Sequence, residues 1–91
     1  MYRGRTGILA KIVDVVAKNG EEGELRTNIR DRANVSSYSQ LLIYLDFLKE
    51  VKILEEMNNE GEIKYKITPK GCKFLGSFKS IQKMLGEKIN L

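Results

Sequence analysis

Ile53-Leu54-Glu55-Glu56-Met57-Asn58-Asn59-Glu60-Gly61-Glu62-Ile63-Lys64-Tyr65-Lys66-Ile67-Thr68-Pro69-Lys70-Gly71 reads as a strand, a tight turn, a second strand and the start of a helix. The second strand alternates cleanly. Ile63, Tyr65 and Ile67 fall on one side and Lys64 and Lys66 on the other, which puts both lysines on the solvent face of a hairpin. The first strand, with Ile53, Leu54 and Met57, alternates poorly. Between the strands, Asn58, Asn59 and Gly61 tolerate the positive φ that a tight loop needs. Thr68 then caps a helix with Pro69 in its first position, where a missing N–H costs nothing.

Working upstream, Ile8, Leu9, Ile12, Val13, Val16 and Ala17 recur at three- and four-residue spacing, predicting a helix over 6–19 that Gly20 ends in a left-handed conformation. Residues 21–25 form a polar connection with Leu25 tucked under the next element. A short helix over 27–33 follows, with Ile29 and Ala33 facing inward. Asn34, Val35 and Ser36 make a turn whose valine plugs between helices. Ser37 and Gln40 then match a capping box at the head of a third helix running to about Val51. Its inward stripe is Leu41, Leu45 and Leu48, with Tyr38 and Leu42 beside it, while Ile43 and Phe47 fall off the stripe. Three helices followed by a hairpin and a further helix is the order of a winged helix-turn-helix, an α+β fold. One domain is expected, with a core over 6–68 and an extra C-terminal helix over 69–91.

That last helix carries Phe74, Leu75, Phe78, Ile81, Met84, Leu85 and Ile89, more apolar surface than a chain this short covers along its whole length. Phe78, Ile81 and Leu85 resemble a short heptad seam. Phe74, Phe78, Ile81 and Leu85 are therefore expected at a homodimer interface, against the alternative of a helix folded back on its own core. Gly76 and Gly86 each cost the helix about 1 kcal/mol relative to alanine, so it needs a partner surface.

Composition narrows the function classes. With 91 residues and 42% of them hydrophobic, the chain buries roughly two thirds of its unfolded surface, enough for one core without metal or disulfide. It has no apolar run of about 18 residues and no hydrophobic signal region, so no membrane association is expected and a cytoplasmic location is the default. The absence of histidine removes Ser-His and Cys-His pairs and the usual zinc ligands; the single Cys72 reads as a small core hydrophobe. There is no glycine-rich phosphate loop, and neither an enzyme nor a cofactor is expected. Charge is uneven: residues 50–62 hold five glutamates against Lys52, whereas residues 63–91 hold seven lysines against Glu87. The second block is either a phosphate-facing surface or a solvated lysine-rich face.

Leu25-Arg26-Thr27-Asn28-Ile29, Ala33-Asn34-Val35-Ser36-Ser37-Tyr38, Tyr44-Leu45-Asp46-Phe47-Leu48 and Tyr65-Lys66-Ile67-Thr68-Pro69-Lys70-Gly71-Cys72-Lys73-Phe74-Leu75 resemble an archaeal winged helix-turn-helix family. That family includes the ArnR-like regulators and small chromatin-type DNA-binding proteins that dimerise by a C-terminal helix. The resemblance covers residues 8–85. It implies sequence-specific or architectural binding of double-stranded DNA by a dimer, as a transcription regulator or in a chromatin-type role, with the third helix in the major groove and the wing against backbone or minor groove. Carried over by position, Ser36, Ser37, Tyr38, Ser39 and Gln40 face the groove. Gln40 suits adenine and the serines suit phosphate oxygens, while Tyr38 is a packing residue or a contact. Phosphate contacts fall to Arg26, Arg30, Lys64 and Lys66, with Arg32 a weaker candidate beside Asp31. Arg3 and Arg5 sit in an N-terminal arm that either reaches DNA or frays. The residues leave open whether a small-molecule effector controls binding. One departure stands out: residues 37–47 contain no Arg or Lys. Ile43 and Phe47 then either meet thymine methyls or dock a protein, and the second option makes the chain a winged-helix interaction module.

Overall fold

The computed structural model describes residues 5–84, with side chains from Gly7 onward. Helix α1 spans Arg5–Ala17, followed by a 3-10 turn at Gly20–Glu22, strand β1 at Glu24–Leu25, helix α2 at Arg26–Ala33 and helix α3 at Tyr38–Glu50. Strands β2, Leu54–Asn59, and β3, Glu62–Ile67, form the hairpin, and α4 runs Pro69–Met84. The sheet is antiparallel in the order β1-β3-β2, with Glu24 opposite Tyr65, Leu25 opposite Lys64 and Glu56 also opposite Tyr65. The α+β winged-helix architecture expected from the element order is the one observed.

Helical spacing places Ile12, Val13 and Val16 of α1, Ile29 and Ala33 of α2, and Leu41, Leu45 and Leu48 of α3 in one buried cluster with Leu54, Tyr65 and Leu75. Each large side chain so removed from water contributes about 1.5–3 kcal/mol. The helix ends share one device. Asn34, at φ 58°, closes α2 with the Val35 N–H on the Arg30 carbonyl at 3.1 Å and its own N–H on the Asp31 carbonyl at 3.3 Å. Lys52, at φ 69°, closes α3 in the same way, with the Ile53 N–H on the Leu48 carbonyl at 2.9 Å. These paired bonds set the angles at which α3 and the wing leave the core.

Several local expectations are corrected. The connection over 21–25 contains a third strand, because Glu24 and Leu25 complete the ladder on β3. Helix α1 ends at Ala17; Gly20 does adopt φ 56°, but it opens the 3-10 turn three residues later. In the hairpin loop the left-handed residues are Glu60 and Gly61, at φ 54° and 89°, because Asn59 pairs with Glu62 and leaves only two residues in the loop. Cys72 is exposed; its neighbour Gly71 is the buried one, so close to the Ile53 carbonyl and the Ile67 side chain that a β-carbon would overlap both. Thr68 explains that approach. Its hydroxyl accepts from the Gly71 N–H at 3.0 Å and donates to the Lys52 and Ile53 carbonyls, binding the start of α4 to the end of α3.

Helix α4 folds back on its own chain through Gly71, Leu75 and Phe78, and Lys79 pairs with Asp14 of α1 at 3.2 Å. Phe78, expected at a dimer seam, is thereby buried within the chain itself. Phe74 is half-buried beside it, with ring centres 6.4 Å apart. Ile81 and Met84 remain exposed, at 52% and 83%. Leu85, Gly86, Lys88, Ile89, Arg3 and the Arg5 side chain lie outside the described residues.

Candidate nucleic-acid interface

The head of α3 is built by its cap. The Ser37 hydroxyl accepts from the Gln40 N–H at 3.3 Å and lies 3.0 Å from the Ser39 hydroxyl, satisfying one of the helix's orphan donors. The reciprocal half of the capping box is not formed: the Gln40 side-chain amide makes no hydrogen bond among the described residues. Arg30 reaches across from α2 to the Ser36 carbonyl at 3.0 Å, bracing the turn while its side chain stays exposed. Ser36, Ser37 and Gln40 border a depression of about 480 Å³ whose floor is Ile8, Val35 and Tyr44. Ser39 is also exposed on this surface.

Tyr38 turns the other way. Instead of lying beside the inward stripe it is 37% exposed, and with Leu25, Arg26, Thr27, Gly61, Glu62 and Ile63 it lines a trough of about 330 Å³ between the helices and the wing. Arg26, the only full cation among the described residues that line it, is held from behind. Its Nη2 donates to the Tyr65 hydroxyl at 2.8 Å, its guanidinium carbon stands 5.7 Å from the centre of the Tyr65 ring, and its Nε is buried without a partner. The chain of bonds continues: the Tyr65 hydroxyl donates to Glu56 at 3.4 Å, and Lys49 of α3 donates to the same carboxylate oxygen at 3.0 Å. Bonding to Tyr65 keeps the Arg26 pKa above its ordinary value, whereas burial pushes the Tyr65 phenol up. Lys49 holds the Glu56 carboxyl below its usual range. Sequence reasoning missed this relay because its members are up to 39 residues apart and come from four elements.

On the wing, Lys64 and Lys66 do share a face, but β3 is the central strand and both are half-buried. Lys66 pairs with Glu21 at 3.6 Å, while Lys64 has no ion pair among the described residues. The wing tip carries the exposed acids Glu60 and Glu62. Arg32 is tied to buried Glu24 at 3.7 Å rather than to its neighbour Asp31. Glu24 also accepts from Asn19 and Asn28 at 3.1 Å, which locks the turn before β1 to α2.

The outward face of α3 continues into apolar surface. Ile43 is 61% and Phe47 49% exposed, and with Leu9, Gln40 and Tyr44 they line a groove of about 440 Å³. Asp46 and Glu50 follow on the exposed side of the same helix. Among the described residues no cluster of acidic or sulfur side chains is arranged to hold a metal ion, and no helix is long and apolar enough to cross a membrane.

Residues 2–86 match the family described as winged helix-turn-helix. No curated protein matches the chain at a significant level. Among solved structures, Sso10a-2, a DNA-binding protein from Sulfolobus solfataricus, is 24% identical with a TM-score of 0.76 over 92% of this chain and 83% of that one. AF1382 from Archaeoglobus fulgidus is 19% identical, TM-score 0.73, over 90% of each chain. MepR, a transcription regulator of the Staphylococcus aureus multidrug efflux pump MepA, is 14% identical, TM-score 0.77, over 88% of this chain and 59% of its own. At these identities the likeness is one of fold.

Proposed function

The chain belongs to the winged helix-turn-helix family, and from that premise we propose that it is a non-enzymatic, cytoplasmic regulator of transcription that binds double-stranded DNA. One observation carries the reading: the capped head of α3 presents Ser36, Ser37, Ser39 and Gln40 together, with Arg30 at one side and the trough of Arg26 and Tyr38 at the other. A major groove admits one helix, and hydroxyls and guanidinia beside it suit the flanking phosphates. That Sso10a-2 is a DNA-binding protein and MepR a transcription regulator supports the same reading.

In this reading Arg26, Arg30, Lys64 and Lys66 contact phosphate, with unequal weights. Lys64 has no competing carboxylate, Lys66 must leave Glu21, and Arg26 is already fixed by Tyr65. Assembly as a homodimer through the end of α4, with Ile81 in the seam and Leu85 following in sequence, is part of the proposal; sedimentation equilibrium of Ile81→Glu against the parent chain tests it. Fluorescence anisotropy with labelled duplex at two salt concentrations tests DNA binding. The logarithm of affinity should fall with that of salt with a slope of about −0.9 per phosphate neutralised, and no binding at the lower salt sinks the reading.

A second reading is favoured by the exposure of Ile43 and Phe47, which suits an interaction module whose α3 face docks a protein. Ile43→Lys separates the two: it abolishes such docking and preserves or strengthens duplex affinity.

A further inference from the structure

The outward face of α3 offers only certain chemistry. Gln40, Ile43 and Phe47 lie within about 60° of one another around the helix axis and about 10 Å along it, a length of about three base-pair steps. Gln40 brings an unengaged amide, one donor and one acceptor side by side. Ile43 and Phe47 bring exposed hydrocarbon. The face holds no Arg or Lys over residues 36–48, and Lys49, the first cation beyond, is tied to Glu56 at 3.0 Å.

Each base pair shows a different pattern in the major groove. Guanine offers two acceptors, O6 and N7, and is read by Arg or Lys. Adenine offers N7 as acceptor and N6 as donor, the complement of a carboxamide, and thymine adds a methyl group. A face with an amide and two apolar side chains, and no cation, matches the second pattern and lacks the means for the first. Asp46, offset around the helix axis, and Glu50, beyond Phe47, are exposed on the same helix and repel phosphate, so close approach ends at the turn that carries Phe47.

Resting on the DNA-binding reading, we propose that this face is a reader of A·T base pairs: Gln40 pairs with adenine N6 and N7, and Ile43 and Phe47 bury thymine C5-methyl groups. The exposed apolar surface is then the specificity element of the site, and DNA bearing thymine methyls in the major groove is its occupant.

The test uses the full chain and three labelled 24-base-pair duplexes at one low salt concentration: alternating A·T, the same duplex with every thymine replaced by uracil, and alternating G·C. The first should bind most tightly, with roughly a fourfold loss per contacted methyl on passing to uracil. Ile43→Ala and Phe47→Ala, at exposed positions, should each retain binding to the uracil duplex and shrink the thymine advantage. Gln40→Ala should shrink the preference over G·C by roughly five- to hundredfold, leaving the part that the methyl contacts supply. Equal affinity for the thymine and uracil duplexes, a preference for G·C, or a thymine advantage unchanged in both apolar variants overturns the inference while leaving DNA binding intact. Failure to bind any of the three overturns the DNA reading itself, and the inference with it.

Discussion

Tyr65 holds Arg26 twice, through a hydrogen bond at 2.8 Å to its hydroxyl and through the face of its ring, 5.7 Å from the guanidinium carbon. The tyrosine is fully buried on the central strand, so a cation at the start of α2 is indexed to the middle of the sheet. Fixing one end of a long side chain removes rotamer freedom that binding would otherwise have to remove.

Replacing Tyr65 by Phe keeps the ring and deletes the bonds to Arg26 and Glu56. Arg26 is half-buried beside an open trough where water can take up the freed guanidinium N–H, so a loss of about 0.5–1.5 kcal/mol is expected in urea unfolding. An unchanged midpoint and slope would mean that the bond contributes nothing to the fold.

Acid should weaken the fold partly through Glu56. Its hydrogen bond from Lys49, the largest influence, lowers its pKa in the folded chain below the ordinary value of 4.5. A depressed carboxyl stabilises above the unfolded pKa and loses that stability as pH falls through the folded one. Unfolding followed from pH 7 down to pH 2 should therefore show a shallower acid limb in Glu56→Gln than in the parent, and identical limbs would exclude Glu56 as a contributor.

Two glycines of α4 should respond oppositely to alanine. A β-carbon at Gly71 meets the Ile53 carbonyl, which is backbone and cannot turn aside, so Gly71→Ala should cost about 1–3 kcal/mol. Gly76 is exposed with open space where the β-carbon would stand, and Gly76→Ala should gain about 0.5–1 kcal/mol of helix propensity. Thermal melts of the two variants should move in opposite directions.

These contrasts mark what the chain discloses before folding. Periodicity placed Leu41, Leu45 and Leu48 inside and Ile43 and Phe47 outside, because a helix's faces follow from spacing alone. Ser37 as cap and Thr68 as the head of α4 were equally legible, being local chemistry. Strand β1 was not, since two residues carry no alternation, and its existence depends on β3 offering an open edge 39 residues later. Lys66 looked free for the same reason: its partner Glu21 lies in a different element. Cys72, read as a core residue, is exposed and Gly71 is buried in its place, because burial there is decided by the tertiary approach of Ile53, not by residue type.

On the interface itself, Asp46 and Glu50 stand on the exposed side of α3 and oppose a polyanion. The double variant Asp46→Asn with Glu50→Gln should raise duplex affinity at low salt for all sequences alike, with the gain shrinking as salt screens it. Anisotropy titrations that leave affinity unmoved would place the C-terminal half of α3 away from the nucleic acid.

Strand β1 reaches β3 only at Tyr65 and Lys64, so the outer part of the hairpin, from Asn58 to Ile63, is a two-stranded ribbon. An isolated ribbon of that kind is marginal in water, whereas its base is sewn to three strands and the core. Amide hydrogens should accordingly exchange along a gradient, fastest at Glu60 and Gly61 and slowest near Tyr65, through local opening that leaves the rest of the domain closed. The wing is thus a lever with a clamped root and a loose end.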